Sequence, residues 1–426
     1  MIATQLPGPR TDLHGSVELP SSKSFTNRAM IAAAAAGGGI IISPLDCDDT
    51  RVLAAAVAAA GWPVVWREDI EIGAQVVPRD RVRLDLADSG TGARLILGLL
   101  AACPGLTIVD GSARLRERPM APLLETLRGL GARLRPTGHG LPIEVDGIEL
   151  EGGRATIRPE VSSQFVSSLL LAAPLMKRGL DLEVIGPLPS APYLDLTEDV
   201  LRAFGSDLEV AGDRRRWRVA PLPLQQTRYV IESDWSAAAF VLAAVAVAGG
   251  AVEVGSLDRG SRQGDRALLD ILERAGLDTS WDGDRLLARG PASSPIEADL
   301  TDTPDLFPAL AVVAAAGEPG SCLEGLDNLR HKESDRLTVM VENLSRLGAG
   351  ISIEGSRATF DRPFGRRFEQ PPRVTAAGDH RIAMAMAVAA LDAGPLELDE
   401  ADCVSKSFPG FWSMWERLAV SGAGGA

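Results

Sequence analysis

Two kinds of helix alternate along the chain, as the spacing of its apolar positions indicates. The first kind is short, rich in alanine and apolar nearly all round, which is typical of a buried helix. Each example begins after a cap of polar residues or glycine, and six such starts are predicted, near Lys23, Gly90, Ser163, Asp234, Asp305 and Asp379. Successive starts are 67, 73, 71, 71 and 74 positions apart.

The second kind of helix is amphipathic and ends at glycine, an ordinary signal for a helix C-terminus. The predicted ends are Gly61, Gly131, Gly205, Gly276 and Gly348, which are 70, 74, 71 and 72 positions apart. A strand pattern follows several of them, for example at 349–354, and residues 408–418 have the pattern of the second helix of a last repeat. The chain of 426 residues is therefore predicted to hold six repeats of about 71 residues.

Repeats of this length, with several strands each, predict compact subdomains rather than a common solenoid. Three repeats in each half of the chain would make two similar domains. The weakly patterned stretch Pro221–Thr227 and the segment Leu13–Ser22 are predicted crossings between them. We assign residues 21–230 to one domain, and residues 1–20 with 231–426 to the other.

Composition restricts the class of partner and the compartment. A formal charge of −14 argues against a nucleic-acid or anionic-membrane partner. The most apolar run, Ala237–Val252, is interrupted by Gly249 and Gly250 and is shorter than the roughly 18–20 residues that cross a bilayer. The N-terminus lacks the pattern of a signal peptide. The four cysteines match no zinc or disulfide spacing, which predicts a cytoplasmic protein with reduced thiols.

Lysine is rare in this chain and lies where chemistry is expected. Of 43 basic residues only four are lysine, and three of these, Lys23, Lys332 and Lys406, lie within the motifs described below. A chain that otherwise uses arginine keeps a lysine where a compact, titratable ammonium is needed.

The first apolar helix begins with a candidate anion site. Ser24 and Arg28 are four apart and share a helix face, with Lys23 at the start of the helix. Backbone N–H groups, the helix dipole, hydroxyls and two cations would then converge on a phosphate or carboxylate. A serine cap with solvated charges is the alternative.

Three further stretches point to the same chemistry. Gly90 and Gly92 allow close approach of a ligand to the backbone. Arg114, Arg116 and Arg118 alternate, so an extended conformation would project all three to one side, where they would bind an anion or form a solvated edge. Three short polar side chains at a helix start, either a cap or a site for sugar-like hydroxyls or phosphate, are Ser162, Ser163 and Gln164.

The densest cluster of charged residues lies at 328–336. Lys332 and Arg336 are four apart with Glu333 between them, which indicates either a salt-bridged helix start or an acid/base site with anion-binding cations. Asp379–Arg381 and Ser405–Ser407 add cations in the sixth repeat. Because cations lie at helix starts in both predicted domains, we expect small anionic substrates to bind in a cleft between them.

These motifs, taken in order, resemble the EPSP synthase (3-phosphoshikimate 1-carboxyvinyltransferase) family across essentially the whole chain. The matching stretches are residues 20–29, 89–91, 116–119, 162–165, 192–193, 304–305, 332–336, 379–381 and 406–409. The resemblance implies an α/β fold of two similar domains, each an inside-out α/β barrel of three βαβαββ repeats. It also implies transfer of the enolpyruvyl group of phosphoenolpyruvate to the 5-hydroxyl of shikimate 3-phosphate, with release of phosphate and without a metal or organic cofactor.

The resemblance also implies which residues bind each substrate. Shikimate 3-phosphate would be bound by Lys23, Ser24, Arg28, Ser162, Ser163, Gln164, Ser190, Tyr193, Asp305, Asn328 and Lys332. Phosphoenolpyruvate would be bound by Lys23, Gly90, Arg118, Arg336, Arg381 and Lys406. We expect a monomer.

The implied chemistry is addition followed by elimination through a tetrahedral ketal. We assign the hydroxyl proton to Asp305 and proton transfer at the methylene carbon to Glu333 with Lys23, and we count Lys332 among the catalytic residues. Because Gly90 leaves the phosphoenolpyruvate pocket open, glyphosate should compete with that substrate. The alternatives are a UDP-N-acetylglucosamine enolpyruvyl transferase, although residues 110–118 lack that family's reactive cysteine, and a non-catalytic anion-binding relative.

Overall fold

The computed structural model describes residues 4–138, 140–365 and 368–420. The chain forms two compact units: unit 1 is Met1–Pro20 with Ser233–Ala426, and unit 2 is Ser21–Glu232. Among the described residues, none of the helices combines the length and apolar composition needed to cross a bilayer.

Short strands make up the sheets of both units. In chain order they are β1 (Thr4–Leu6), β2 (Leu13–Glu18), β3 (Gly39–Ile42), β4 (Val64–Trp66), β5 (Ile70–Ile72), β6 (Val82–Asp85), β7 (Gly105–Asp110), β8 (Arg133–Thr137), β9 (Gly140–Gly147), β10 (Gly153–Ile157), β11 (Leu180–Val184), β12 (Leu208–Val210), β13 (Arg216–Val219), β14 (Arg228–Val230), β15 (Gly250–Gly255), β16 (Asp278–Asp282), β17 (Arg285–Gly290), β18 (Glu297–Asp299), β19 (Ser321–Glu324), β20 (Gly350–Glu354), β21 (Arg357–Arg362), β22 (Arg373–Thr375) and β23 (Leu396–Asp399).

Helices connect these strands. The α-helices are α1 (Lys23–Ala35), α2 (Asp48–Ala59), α3 (Gly90–Ala102), α4 (Ala113–Glu117), α5 (Ala121–Gly129), α6 (Gln164–Ala172), α7 (Pro192–Ala203), α8 (Trp235–Ala248), α9 (Ala267–Arg274), α10 (Phe307–Ala316), α11 (Arg336–Arg346), α12 (His380–Ala393) and α13 (Phe411–Trp415). Short 3₁₀ turns are Ala173–Leu175, Gly264–Arg266, Pro304–Leu306, Asp327–His331 and Ala401–Lys406, and a π turn is Glu416–Val420.

Each repeat contributes one sheet. The sheet orders in unit 2 are β14-β3-β5-β4, β6-β7-β9-β8 and β10-β11-β13-β12, and those in unit 1 are β16-β17-β15-β2, β18-β19-β21-β20 and β1-β23-β22. Every four-stranded sheet contains one parallel pair joined to antiparallel strands, as a βαβαββ repeat requires. The predicted fold class of two similar units, each with three such repeats, is confirmed.

Three sheets take a strand from a distant part of the sequence, and one of these strands is β1, which pairs antiparallel with β23. β14, at the end of unit 2, pairs in parallel with β3, and β2, near the N-terminus, pairs in parallel with β15. The change from unit 2 to unit 1 therefore lies after Glu232, beyond the predicted crossing at Pro221–Thr227, because β14 still belongs to a sheet of unit 2.

The predicted helix starts and ends are confirmed. The ends at Gly61, Gly131, Gly205, Gly276 and Gly348 have φ values of 107°, 103°, 77°, 107° and 89°. Each glycine follows the last residue of its helix by two positions and adopts the positive φ that ends a helix at low steric cost. The last repeat contains α13, which the turn Glu416–Val420 continues.

The apolar helices form the centre of each unit. In unit 2, α1, α3 and α6 pack against one another, and in unit 1, α8, α10 and α12 do the same. Their side chains are buried almost throughout, whereas the strands around them alternate between buried and exposed positions. Lys23, Gly90, Gln164 and Arg381, all predicted to bind substrate, lie in the first turns of these helices.

Candidate active site

Lys23 is the first residue of α1, after the cap Ser22. Its Nζ lies 3.0 Å from Oδ2 of Asp49 on α2, and both side chains are largely buried, at 12% and 7% exposure. The predicted cation at this helix start is therefore paired with a carboxylate that sequence reasoning missed. Asp49 orients the ammonium and stabilises its charge.

Arg28 joins three helices of unit 2. Its Nε donates to Thr197 Oγ1 at 2.8 Å, its Nη2 donates to Ser167 Oγ at 3.4 Å, and its Nη1 donates to the carbonyl of Ser24 at 3.0 Å. The guanidinium also lies over the ring of Tyr193, 5.9 Å from its centroid. Burial lowers the pKa of Arg28 to about 10, so the group stays cationic at neutral pH.

Tyr193 and Ser190 lie at the start of α7. The Tyr193 N–H donates to the carbonyl of Ser190, and Ser190 has a φ of 57°, which is uncommon for a residue other than glycine. Residues in such conformations cluster at functional sites. Arg28, Tyr193 and Ser190, three of the residues predicted to bind shikimate 3-phosphate, are thus brought together within unit 2.

Arg94 on α3 is a buried arginine that sequence reasoning did not select. It connects α3 to the start of α6 and to the segment before α5. Its Nη1 donates to Gln164 Oε1 at 2.9 Å and Ser162 Oγ at 3.3 Å, and its Nη2 donates to the carbonyl of Pro119 at 3.1 Å. Gln164 in turn donates through Nε2 to Thr91 Oγ1 at 2.9 Å, which fixes the orientation of its amide. Ser163, also predicted, is the buried cap of α6.

The guanidinium of Arg118 lies against the backbone of Gly90. A Cβ atom at Gly90 would overlap the guanidinium of Arg118, which is 7% exposed. The absence of a side chain at Gly90 is therefore what allows Arg118 to lie against the start of α3.

The interpretation of Arg114, Arg116 and Arg118 as an extended row does not hold. Residues 113–117 form helix α4, so the three side chains point in different directions. Arg114 pairs with Glu117 and Arg116 pairs with Asp110. Only Arg118 is directed to Gly90, because it follows the helix and its backbone is extended.

Arg336, at the start of α11, is the centre of the charged cluster in unit 1 and is fully buried. Its Nε and Nη2 donate to Asp379 at 2.8 and 3.3 Å, its Nη1 to Asp305 at 2.7 Å, and its Nη2 to Glu333 at 2.8 Å. Burial opposes the charge, but the carboxylates of Asp379, Asp305 and Glu333 raise the pKa of Arg336 above its ordinary value. The salt-bridged helix start, one of the two alternatives for this cluster, is thus present.

Asp305 bridges three cations. Its Oδ1 lies 2.7 Å from Arg336 Nη1 and 3.4 Å from Lys332 Nζ, and its Oδ2 lies 3.2 Å from Arg381 Nη2. Burial raises the pKa of Asp305, but Arg381, Lys332 and Arg336 outweigh that effect and hold it well below the usual range. Asp305 is therefore a carboxylate at neutral pH and a weak base in this arrangement.

The remaining predicted residues of unit 1, Asn328 and Lys406, lie in two short turns. The turn of Asn328 precedes α11, and the turn of Lys406 belongs to the sixth repeat. Asn328 is half-buried in the turn Asp327–His331, which packs against α11. Lys406, 8% exposed, ends the turn Ala401–Lys406, which packs against α12, the helix that carries Arg381.

Comparisons with known proteins identify the family of this chain. The model of the family described as EPSP synthase (3-phosphoshikimate 1-carboxyvinyltransferase) matches residues 7–415. The chain belongs to the EPSP synthase family. A 3-phosphoshikimate 1-carboxyvinyltransferase of Thermococcus kodakarensis is 39% identical, covering 96% of this chain and 98% of the relative. One of Syntrophobacter fumaroxidans is 36% identical, with the same coverage.

Solved structures support the same conclusion. An EPSP synthase from Acinetobacter baumannii has a TM-score of 0.77 and 26% identity, covering 98% of both chains. The enolpyruvyl transferase NikO from Streptomyces tendae also has a TM-score of 0.77, but at 19% identity and with coverage of 97% and 96% it shows the fold alone. Membership of the EPSP synthase family confirms the predicted resemblance and reaction class, and favours them over the UDP-N-acetylglucosamine and non-catalytic alternatives.

The partners of candidate site residues that sequence reasoning missed share one property. Asp49, Arg94 and the carboxylate of Asp379 each act on a residue that is distant in sequence. A sequence signal existed for two of them, because Arg94 lies inside an otherwise apolar helix and Asp379 lies within the stretch 379–381. Asp49 lies among three aspartates at 46–49, and nothing local distinguishes it from the other two.

Replacing Arg94 with lysine should destabilise unit 2. An ammonium cannot reach Ser162, Gln164 and the Pro119 carbonyl at once, so buried polar groups lose partners. We expect the free energy of unfolding to fall by about 2–4 kcal/mol, measured by urea denaturation. The matched control is Arg114→Lys, whose side chain is 37% exposed and which should change it by less than about 0.5 kcal/mol. Equal effects of the two substitutions would contradict the role of Arg94.

Proposed function

We propose that this chain transfers the enolpyruvyl group of phosphoenolpyruvate to the 5-hydroxyl of shikimate 3-phosphate, releasing phosphate, in the shikimate pathway to chorismate and the aromatic amino acids. The observation that carries the proposal is membership of the EPSP synthase family over residues 7–415. It is supported by buried cations at the starts of apolar helices in both units, where anionic substrates bind well.

Shikimate 3-phosphate binds mainly to residues of unit 2 in this proposal. Its ligands are Lys23, Ser24, Arg28, Ser162, Ser163, Gln164, Ser190 and Tyr193, with Asp305, Asn328 and Lys332 from unit 1. The buried Arg28 and Lys23 supply charge, and the hydroxyls and the fixed amide of Gln164 supply hydrogen bonds.

Phosphoenolpyruvate binds to Lys23, Gly90, Arg118, Arg336, Arg381 and Lys406 in this proposal. Its carboxylate and phosphate compete with protein carboxylates for these cations, because Arg336 and Arg381 are already paired with Asp305 and Arg336 with Glu333. Binding therefore removes part of the positive field on Asp305 and frees Glu333 from Arg336. Both effects make these carboxyl groups more basic.

This competition couples substrate binding to acid/base chemistry. Asp305, held as a weak base by three cations, becomes a stronger base when phosphoenolpyruvate shares them, and it then accepts the proton of the 5-hydroxyl. Lys332, 3.4 Å from Asp305, stabilises the carboxylate next to the hydroxyl. Glu333 and Lys23 transfer the proton to and from the methylene carbon, and phosphate leaves as the ketal collapses. These steps involve no metal, organic cofactor or covalent enzyme intermediate.

The proposal extends to compartment and partners. We place the protein in the cytoplasm as a monomer without nucleic-acid or membrane partners. A formal charge of −14 repels polyanions and anionic lipids, and the cysteine spacing fits a reducing compartment.

Phosphate release tests the reaction directly. The purified protein should release phosphate from phosphoenolpyruvate only when shikimate 3-phosphate is present, because the hydroxyl is the second reactant. Colorimetric phosphate detection with and without shikimate 3-phosphate measures this dependence, and UDP-N-acetylglucosamine in its place is the control acceptor. Release that shikimate 3-phosphate does not stimulate would overturn the assignment.

Asp305→Asn and Glu333→Gln should each lower kcat by about 10²–10⁴, the usual contribution of an acid/base group. Steady-state kinetics with both substrates saturating measure the change. The matched controls are Asp270→Asn at an exposed position of α9 and Glu342→Gln on α11, where Glu342 is 58% exposed, and both should retain wild-type kcat. A loss below tenfold for either site variant would remove that residue from the acid/base role.

Gly90→Ala should weaken the binding of both phosphoenolpyruvate and glyphosate. The added methyl group overlaps the guanidinium of Arg118 and displaces it from the start of α3. We expect the KM for phosphoenolpyruvate and the inhibition constant of glyphosate to rise by about tenfold or more, which corresponds to about 1.4 kcal/mol. Gly129→Ala is the control, because a Cβ at that position meets open space. Constants within twofold of wild type would show that Arg118 does not bind this anion.

A further inference from the structure

The segment that carries Arg118 is anchored at both of its ends. At its start, the Ser112 N–H donates to the carbonyl of Ala87 at 2.9 Å, and Ala87 lies just before α3. At its end, the carbonyl of Pro119 accepts from Arg94 of α3 at 3.1 Å. Both anchors therefore join the segment to α3 or to the residues that precede it.

Helix α4 lies between these anchors and has only 5 residues. A helix this short is not stable by itself in water, so contacts with other elements must hold it in place. One contact is apolar, because Leu115 is 1% exposed and belongs to the core of unit 2. A second contact is polar, because Arg116 Nε and Nη2 donate to Oδ1 and Oδ2 of Asp110, both at 2.8 Å. This bidentate pair, which we call the α4 clamp, joins the helix to the end of β7.

Asp110 is suited to this task because it is buried and charged. It is 3% exposed, it also pairs with Arg83 of β6, and it accepts from the Gly111 N–H at 2.9 Å. Burial raises the pKa of Asp110, but its bonds with Arg116, Gly111 and Arg83 outweigh that effect and leave the pKa below its ordinary value. Asp110 is therefore a carboxylate at neutral pH, with both of its oxygens bound.

Arg118 follows α4 directly. Its N–H donates to the carbonyl of Leu115 at 3.2 Å, and its extended backbone directs the guanidinium to Gly90. A shift of α4 therefore moves this guanidinium with it. We propose that Asp110 and Arg116 are positioning residues that hold Arg118 where it binds phosphoenolpyruvate, an inference that rests on the proposed function. Neither residue of the α4 clamp contacts the substrate itself.

The variant that tests this inference is Arg116→Gln. It breaks the α4 clamp but leaves the buried Asp110 paired with Arg83, so the fold should be retained. We expect the KM for phosphoenolpyruvate to rise by about three- to tenfold, as for residues coupled in one network, and the KM for shikimate 3-phosphate to stay within about twofold. Loss of folded protein lowers the apparent kcat and leaves KM unchanged, so this pattern isolates a change of position. Arg116→Lys, which keeps the charge on a single donor group, should give an intermediate KM.

Two matched controls separate position from charge. Arg83→Gln removes a cation from the same carboxylate but lies on β6, and Arg114→Gln removes a cation from α4 itself, where Arg114 pairs with Glu117. Both controls should keep the KM for phosphoenolpyruvate within about twofold of wild type. A rise in either control equal to that of Arg116→Gln would show that local charge, rather than the α4 clamp, sets the affinity, and would overturn the inference.

A double-mutant cycle shows whether the effect passes through Arg118. In an Arg118→Gln background the guanidinium is absent, so adding Arg116→Gln should raise the KM for phosphoenolpyruvate no further. Effects of the two substitutions that multiply in full would contradict the inference. A KM equal to that of wild type in the single variant Arg116→Gln would contradict it as well.

Hydrogen exchange provides a readout that needs no activity. Because α4 loses an anchor, the amides of residues 113–118 should exchange faster in Arg116→Gln than in wild type and at the wild-type rate in Arg83→Gln, as measured by mass spectrometry. If wild type shows no phosphate release in response to shikimate 3-phosphate, the proposed function fails, and the role in phosphoenolpyruvate binding fails with it. Normal activity without this exchange pattern would refute the α4 clamp alone.

Discussion

A buried guanidinium needs both compensation of its charge and partners for its N–H groups, and this requirement organises each unit. In unit 2, Arg94 ties α3 to the start of α6, and Arg28 ties α1 to α6 and α7. In unit 1, Arg336 joins α11 to the turn of Asp305 and to the cap of α12. The planar, forked donors of arginine can join several segments at once, which the single ammonium of lysine does less well.

The two units satisfy this requirement differently. In unit 2 the buried arginines are bonded mostly to neutral groups, the hydroxyls of Ser167 and Thr197, the amide of Gln164 and backbone carbonyls. In unit 1 the arginine is bonded to three carboxylates. Arg28 and Arg94 therefore keep a positive local charge suited to a phosphate. Unit 1 holds Asp305 and Glu333 in contact with cations, and the proposed mechanism makes their basicity depend on which anion those cations contact.

The repeat explains why so many of the candidate site residues lie at helix starts. Each repeat buries an apolar helix whose first N–H groups lack partners within the helix, so polar residues gather there in every repeat. The six repeats provide six such helix starts, and each start can hold a capping residue or a group that binds an anion. The polar residues at the six starts therefore have different roles. Ser89 and Ser22 are caps, whereas Asp379 is both a cap and a partner of Arg336.

The sequence by itself determined the repeat, the fold class and the family, because these depend on local patterns. Apolar periodicity, the glycine two residues beyond each amphipathic helix and the ordered motifs can all be read without knowing which segments meet. Tertiary structure decided which charges are paired and how the sheets are completed. Asp49, Asp265 and Asp379 reach their partners from other elements, α4 turned Arg114 and Arg116 away from Arg118, and β14 completed a sheet with β3. Pairing over such sequence distances depends on how helices and strands pack, and local spacing does not record that packing.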